Sequence, residues 1–281
     1  MSYLEMPHGK SVSSVGIVIK EGMDLALDVG SRLAKNLMSV GIRVYCIAPF
    51  TVPRADVVSE MAELKCKSPD IVATIGGDGT LLRTLRHLSN ETPILAVNVG
   101  IRGILSEIKP DEIEMAVSHL KAGNYRLEKR VRIEARMGET ILPPASNEVY
   151  ITRTSPISTP TFTIRMNTGF YLQARMDGLL VSTPTGSTGH TYSLNGSVLH
   201  ESLKSVVITP VAPILRIPPF VIPISPIEVS VNQITNLVID GQEVYETKAD
   251  KIIIVDRYRF DAVMVRFGES SLRQLTRVVF P

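Results

Sequence analysis

Ile71-Val72-Ala73-Thr74-Ile75-Gly76-Gly77-Asp78-Gly79-Thr80 is the stretch whose reading decides the fold. Five apolar or β-branched residues in a row suit a strand buried on both faces, the kind found in parallel sheets. They run into a turn with three glycines in four residues, and a helix is expected to begin near Thr80, over Thr80–Leu88. Strand, glycine turn and helix in that order place backbone N–H groups at a helix N-terminus beside a strand C-terminus, where open α/β sheets bind ligands. Gly76, Gly77, Gly79 and Thr80 therefore form a candidate phosphate loop. Asp78 is its unusual member. A carboxylate repels phosphate, so its presence points to metal binding or to proton acceptance beside the phosphate. The bland alternative is a turn former, since Asp-Gly is a common turn pair. The run lacks the Lys-Ser or Lys-Thr of a Walker A loop, and Gly77-x-Gly79-x-x-Leu82 is only a degenerate dinucleotide fingerprint.

Outward from this stretch the first 125 residues alternate strand and helix patterns. Val15–Ile19 is an apolar run, followed by Met23, Ala26, Leu27, Gly30, Leu33, Ala34, Leu37 and Met38 at helical spacing. Gly41 sits where a helix ends, Ile42–Ala48 predicts a strand, Arg54–Leu64 a helix, Ile94–Val97 a strand and Asp111–Ala122 a helix opened by Pro110 and closed by Gly123. From about Leu127 the pattern changes to short β-prone stretches, among them Val131–Ala135, Thr161–Met166, Phe170–Ala174, Leu179–Ser182, Val206–Thr209, Leu237–Asp240, Lys251–Val255 and Ala262–Phe267. Prolines cluster between Pro143 and Pro219, with Pro223 and Pro226 just beyond, as suits turns and strand edges. No long amphipathic helix follows Ala122. The expected class is α/β: an N-terminal Rossmann-like parallel-sheet domain over residues 1–127, then a β-rich, β-sandwich-like domain over 128–281. The last residues, roughly 15, are free to return to the first domain.

Composition excludes several functions. Hydrophobic residues at 44% and charged residues at 21% describe a globular chain, not a disordered or fibrous one. Thirty Lys and Arg against 28 Asp and Glu give no electrostatic reason to expect nucleic acid or a membrane surface as partner. No apolar run reaches the roughly 20 residues that span a bilayer, and the N-terminus shows no signal-peptide pattern. Cys46 and Cys66 make neither a disulfide framework nor a metal pair and are expected as small core residues, with a reduced, cytoplasmic compartment as the default. The histidines (His8, His87, His119, His190 and His200) are scattered, so no protein-caged metal site is expected.

A second signal is Asp177-Gly178-Leu179-Leu180-Val181-Ser182-Thr183-Pro184-Thr185-Gly186-Ser187-Thr188. A strand ends there in a loop dense in hydroxyls and glycine, which offers short donors and acceptors to a polar ligand such as a ribose or an amide, or else is an ordinary Ser/Thr-rich hairpin loop. A third is Asn147-Glu148 in a β context, able to meet a diol or a base edge.

In order and rough spacing these three motifs resemble the NAD kinase family. Asn98-Val99-Gly100-Ile101-Arg102-Gly103-Ile104-Leu105, Thr209-Pro210-Val211-Ala212-Pro213 and Asp240-Gly241-Gln242 support the resemblance, which extends from about Asp70 to Gln242. The Gly-Gly-Asp-Gly loop alone is shared with lipid kinases and phosphofructokinases; the Thr-Pro-Thr-Gly-Ser-Thr run joined to Asp177-Gly178 is far more specific. The resemblance implies transfer of the terminal phosphoryl group of ATP, or of polyphosphate, to the 2′-hydroxyl of the adenosine ribose of NAD. It implies Asp78 as general base, Gly79 and Arg83 beside the substrate, Asn147 and Glu148 on ribose and adenine, and Asp177 on the nicotinamide carboxamide. Thr188, Gly189, His190, Thr191, Tyr192 and Ser193 would line the adenine side, with Arg175, Ala212 and Gln242 completing the pocket. A divalent ion, Mg²⁺, would come with the donor phosphates. The competing readings are a catalytically silent NAD-binding sensor and a lipid or sugar kinase sharing the loop.

The chain departs from the family pattern at Gly189-His190, where Ala-Tyr is usual, at Asn195, and at Arg216, a basic residue displaced from its usual place. Arg126, Lys129, Arg130 and Arg132 read as a solvated linker face, or else as a basic cluster some of whose members steer the triphosphate. A β-rich domain with many edges and a mean hydropathy of +0.16 is expected to complete its burial as a homodimer or homotetramer through the second domains.

Overall fold

Apolar runs alternating with amphipathic stretches build the first unit: β1 (Ser14–Ile19), α1 (Asp24–Ser39), β2 (Arg43–Ile47), β3 (Asp56–Val58), α2 (Met61–Lys67), β4 (Ile71–Gly76), α3 (Asp78–His87), β5 (Ile94–Asn98), α4 (Ile113–Ala122) and β6 (Arg126–Arg130). The computed structural model describes residues 9–88, 90–268 and 273–279; His8 lies outside them. The second unit holds β7 (Ile133–Met137), β8 (Thr140–Ile141), β9 (Glu148–Arg153), β10 (Thr161–Met166), β11 (Tyr171–Arg175), β12 (Gly178–Ser182), α5 (His190–Ser193), β13 (Ser205–Val211), β14 (Phe220–Pro223), β15 (Ile227–Val231), β16 (Thr235–Ile239), β17 (Glu243–Thr247) and β18 (Ile253–Arg257). Then come β19 (Ala262–Arg266) and α6 (Arg273–Val279). One unit runs to Lys129 and takes up the chain again at Ala262; the other is Arg130–Asp261.

In the first unit the strands stand in the order β3-β2-β1-β4-β5-β19-β6. The pairings from β3 through β19 are parallel. Alternate residues of the central strands enter two cores. Val15, Ile17, Ile71, Ala73, Ile75, Leu95 and Val97 pack with Leu33 and Leu37 of α1 and Val117 and Leu120 of α4. Val72, Ile94 and Ala96 pack with Leu64 of α2 and Leu81, Leu82 and Leu85 of α3. Burial on both faces is why these strands read as unbroken apolar runs. Asp70 ties β1 to β4 by accepting the N–H groups of Ser13 and Ser14 at 2.9 and 3.1 Å.

The second unit is a pair of antiparallel six-stranded sheets, β11-β10-β15-β18-β7-β8 and β14-β13-β12-β9-β16-β17. Their inner faces share one core: Ala135, Phe162, Ile164, Val229 and Val255 from the first sheet, and Val149, Ile151, Leu179, Val181, Ile208 and Leu237 from the second. Among the described residues no helix is long and apolar enough to cross a membrane.

Several local expectations are corrected. The helix expected over Arg54–Leu64 is the short strand β3 followed by α2, which starts only at Met61. Helix α3 begins at Asp78, not Thr80, because Gly77 already accepts from the N–H groups of Thr80 and Leu81. The strand at Ala262–Arg266 belongs to the first sheet, beside β5. Cys46 is buried, as a small core residue should be, but Cys66 is exposed on α2. Arg130 and Arg132 are buried and are no solvated face: Arg132 lies over the Tyr258 ring and donates to the carbonyls of Phe260 and Asp261. Lys129 does stay outside, paired with Glu91 at 2.8 Å.

Candidate active site

In the first unit the site is built on the junction of β4 and α3. Gly76 and Gly77 are too small to cover the chain, and the Thr80 side chain sits where a Cβ on Gly76 would be. Asp78 is the first residue of α3, so its carboxylate lies at the positive end of the helix. It points away from the helix axis into the loop after β5. There Oδ2 accepts the Ile104 N–H at 2.9 Å and Oδ1 the Leu105 N–H at 3.1 Å. Burial pushes this carboxyl above its ordinary range, against the pull of those two amides and of the Arg277 charge. An anion held by fixed N–H groups, yet raised by burial, has the makings of a proton acceptor.

The loop can present those amides because of two residues. Gly103 has φ +67°, and a Cβ there would run into the Asn98 amide, so only glycine fits. Asn98 closes the other side: its Oδ1 accepts the Gly100 N–H at 3.0 Å. Arg83 points elsewhere than expected. It pairs with Glu21 at 2.9 Å, both side chains largely exposed. Gly79 is exposed.

In the second unit the candidate residues fall into two groups at opposite ends of β12. The register pairs Ser182 with Glu148 at one end and Gly178 with Thr152 at the other, a separation of roughly 13 Å along the strand. At the Glu148 end Asp240 organises the backbone. Its carboxylate accepts from Ser146 N (3.1 Å), Asn147 N (2.7 Å) and Glu148 N (3.2 Å). Gly186 lies against the Asn147 backbone, where a side chain would collide.

The hydroxyls of the Thr-Pro-Thr-Gly-Ser-Thr loop build the loop itself. Thr183 donates to the Ser146 carbonyl at 2.5 Å, Ser187 to Pro184 at 2.7 Å and Thr188 to Thr185 at 3.3 Å. Thr191 is 2.6 Å from Ser182, hydroxyl to hydroxyl. Hydrogen-bonding capacity is left over on the third motif instead. Asn147 Oδ1 and Glu148 Oε2 are buried without a hydrogen-bond partner among the described residues. Glu148 Oε2 and Asn147 Nδ2 both face the open side of Gly189. Buried orphans of this kind cost free energy unless a ligand or water meets them. Burial, and next the Asp240 charge, push the Glu148 carboxyl up to about 8. His190 is exposed and stands edge-on to Tyr150, ring centroids 5.1 Å apart, so its imidazole has a packing partner in place of the usual Tyr hydroxyl. Tyr192 and Ser193 are exposed.

At the far end of β12, Asp177 pairs with Arg153 at 3.0 Å. Exposed Arg175 gives its carbonyl to Ile214 N, and the Val211 carbonyl accepts from Asp177 N, which brings Arg175, Asp177 and Ala212 to one edge. Ala212 has φ +46°, a strained value for a residue with a Cβ. Gln242 lies in the β16–β17 turn beside Asp240, at the Glu148 end. Among the described residues no three His, Cys, Asp or Glu side chains converge on a point where an ion could sit.

Sequence reasoning missed the working parts that lie in the backbone. The Ile104 and Leu105 amides carry no side-chain signature, though Gly103 marks the turn that presents them. Asp240 was legible only as part of a run that supports the resemblance; its bonds to Ser146, Asn147 and Glu148 span more than 90 residues of chain.

A parallel α/β unit with an acidic glycine loop, and a β-sandwich with unpartnered Asn147 and Glu148 oxygens, are each consistent with a nucleotide-dependent phosphotransferase. Residues 15–125 match the family model of the ATP-NAD kinase N-terminal domain, and residues 146–267 that of the ATP-NAD kinase C-terminal domain. The chain belongs to the NAD kinase family. An NAD kinase of Thermococcus sibiricus is 32% identical over 259 residues, 90% of this chain and 94% of that one. A bifunctional NADP phosphatase/NAD kinase of Methanocaldococcus jannaschii is 31% identical over 93% of this chain, but only 46% of its own length is matched. Among solved structures, an NAD kinase from Archaeoglobus fulgidus in complex with ATP shares the fold at TM-score 0.75, with 24% identity over 95% of this chain and 98% of that one. A yeast NADH kinase complexed with NADH shares it at TM-score 0.86, with 18% identity over 96% and 87%.

Proposed function

We propose that this chain converts NAD to NADP with Asp78 as the base. The 2′-hydroxyl oxygen of the adenosine ribose attacks the terminal phosphorus of ATP. The new O–P bond forms as the bond to the bridging oxygen breaks, ADP leaves, and the hydroxyl proton passes to Asp78. Phosphoryl transfer of this kind depends on positioning and charge neutralisation more than on covalent help. A base placed for the proton contributes about 10²–10⁴-fold. The observation that carries the reading is the Asp78 carboxylate, held by the Ile104 and Leu105 amides and raised by burial.

Asn147 and Glu148 are assigned to the adenosine half, where their unpartnered oxygens support the role. Thr188 through Ser193 border the same end, with Thr188 and Thr191 shaping the loop and Gly189 leaving the opening. Arg175, Asp177 and Ala212 are assigned to the nicotinamide half, at the other end of β12. Two groups roughly 13 Å apart on one strand suit an extended dinucleotide better than a mononucleotide. Asp177 reaches the carboxamide only by sharing its bond with Arg153. Arg83 acts through release from Glu21, and Gly76, Gly77, Gly79 and Thr80 give backbone to phosphate. A divalent ion would come with the donor phosphates and offset their charge, and no step here is routed through it.

The test is incubation of the purified chain with NAD, Mg²⁺ and either ATP or inorganic polyphosphate, with NADP measured. NADP formation supports the reading and the donor comparison sets its range. NAD binding without NADP formation would favour the sensor.

A further inference from the structure

The peptide groups that hold Asp78 are themselves held from behind. Arg277, on α6, donates from Nη1 to the carbonyls of Gly103 (2.6 Å), Ile104 (3.4 Å) and Ser106 (2.6 Å). The Gly103 carbonyl and the Ile104 N–H belong to one peptide group, and the Ile104 carbonyl and the Leu105 N–H to the next. Each of these groups therefore accepts from Arg277 on one side and donates to Asp78 on the other. The rest of the loop is seized the same way. Arg266 reaches the Leu105 carbonyl at 3.4 Å, and Arg273, one helical turn before Arg277, reaches the Glu107 carbonyl at 2.9 Å. Five successive carbonyls, from Gly103 to Glu107, thus face three arginines contributed by β19 and α6. The arginines are braced by acids: Arg266 by Glu107 at 3.0 Å and Glu128 at 2.5 Å, and Arg273 by Glu107.

We propose that Arg277 is a positioning residue for phosphoryl transfer: it fixes and polarises the two peptide groups that orient the Asp78 carboxylate, and so makes the last helix part of the catalytic apparatus. The inference rests on Asp78 being the base. Its physics is that of a hydrogen-bond chain in a partly buried site, where a charged donor at one end strengthens every bond along it. Around Asp78 the facing groups are the two amides, the Ser106 hydroxyl and the Arg277 charge. Around Arg277 they are Glu107, Asp78 and Glu112, which attract it, and Arg266, which repels it. Loss of Arg277 frees two peptide planes to rotate and removes a cation acting on the base from behind. A small misplacement of a catalytic group costs up to about 10²-fold in rate.

The experiment compares wild type, Arg277→Ala, Arg277→Lys and Asp78→Asn in NADP formation across pH, with melting curves as folding controls. The expected result for Arg277→Ala is a fall in kcat of about 10- to 100-fold with KM for NAD within about two-fold. The acidic limb of its kcat profile moves to higher pH, and added guanidinium restores part of the rate. Arg277→Lys keeps the charge, so its limb stays in place while kcat remains below wild type, because an ammonium lacks the guanidinium's planar fork. Wild-type kcat and an unmoved limb in folded Arg277→Ala, with Asp78→Asn inactive, would overturn the proposal. Activity in Asp78→Asn would instead sink the base assignment on which it rests. If Arg277→Ala does not fold, Arg277→Lys carries the test alone: a lowered kcat with a kept limb supports it, and wild-type kcat overturns it.

Discussion

Asp240 and Glu148 hold each other reciprocally: the Asp240 carboxylate accepts the Glu148 N–H at 3.2 Å, and the Glu148 carbonyl accepts the Asp240 N–H at 3.0 Å. The exchange joins the start of β9 to the end of β16 and sets the Asn147-Glu148 pair at the mouth of the Thr-Pro-Thr-Gly-Ser-Thr loop. It also places one carboxyl beside another in a buried setting. That is electrostatically costly, and the cost falls on Glu148.

The cost has a pH signature. Burial and then Asp240 raise Glu148 from its ordinary 4.5 to about 8, so the folded chain keeps a proton that the unfolded chain has lost. Stability from this group is full below pH 4.5, falls as pH rises toward 8 and is flat above. Glu148→Gln removes the titration, and the difference in Tm between wild type and variant should grow in the variant's favour across that window. A constant difference would show that Glu148 is ionised throughout. Above that titration, at pH 9, the same variant should weaken NAD binding, measured by calorimetry, because an amide cannot replace a carboxylate on a diol.

The two cysteines differ in kind. Cys46 is buried, and burial pushes its thiol up to about 11, whereas Cys66 lies exposed on α2. A thiol reagent at neutral pH should titrate one cysteine in the native chain and two after denaturation. Cys66→Ser should abolish the native reaction without a change in Tm. Rapid reaction of both thiols in the native state would contradict the burial of Cys46.

Exposed edges remain on the second unit. β14 and β17 end one sheet, β11 and β8 the other, and Val221, Val244, Tyr171 and Ile141 stand outward on them. Such edges invite pairing with another copy. Light scattering after size exclusion should give a dimer or tetramer, and Val221→Lys with Val244→Lys should lower the mass. A monomer at all concentrations would remove this expectation.

The first sheet was legible because burial on both faces writes itself as apolar runs, and Gly41, Gly76 and Gly123 punctuate them. β3 was not, since Asp56 and Val57 are exposed and carry neither alternation nor a run. Strand type at Ala262–Arg266 could be read, but its partner could not. What places it beside β5 includes the buried ion pairs of Arg266 with Glu107 and Glu128, whose partners lie 159 and 138 residues away. At the site, Asp78 stood out as a residue type, whereas Asn147 and Glu148 gained weight only in combination with the other two motifs. Their holders did not stand out: the Ile104 and Leu105 amides and the Arg277 guanidinium act through geometry that no local spacing encodes. The hydroxyl-rich loop read as a set of donors and acceptors for a ligand; in the structure its hydroxyls shape the loop from within.

The central claim is that Asp78 takes the proton from the NAD 2′-hydroxyl, and the direct measurement is single-turnover NADP formation by Asp78→Asn beside wild type at saturating NAD, ATP and Mg²⁺. Asparagine keeps the size and can still meet one of the two loop amides, so NAD binding should stay within a few-fold. The rate should fall by about 10²–10⁴. A variant that binds NAD and makes NADP at the wild-type rate would contradict the account.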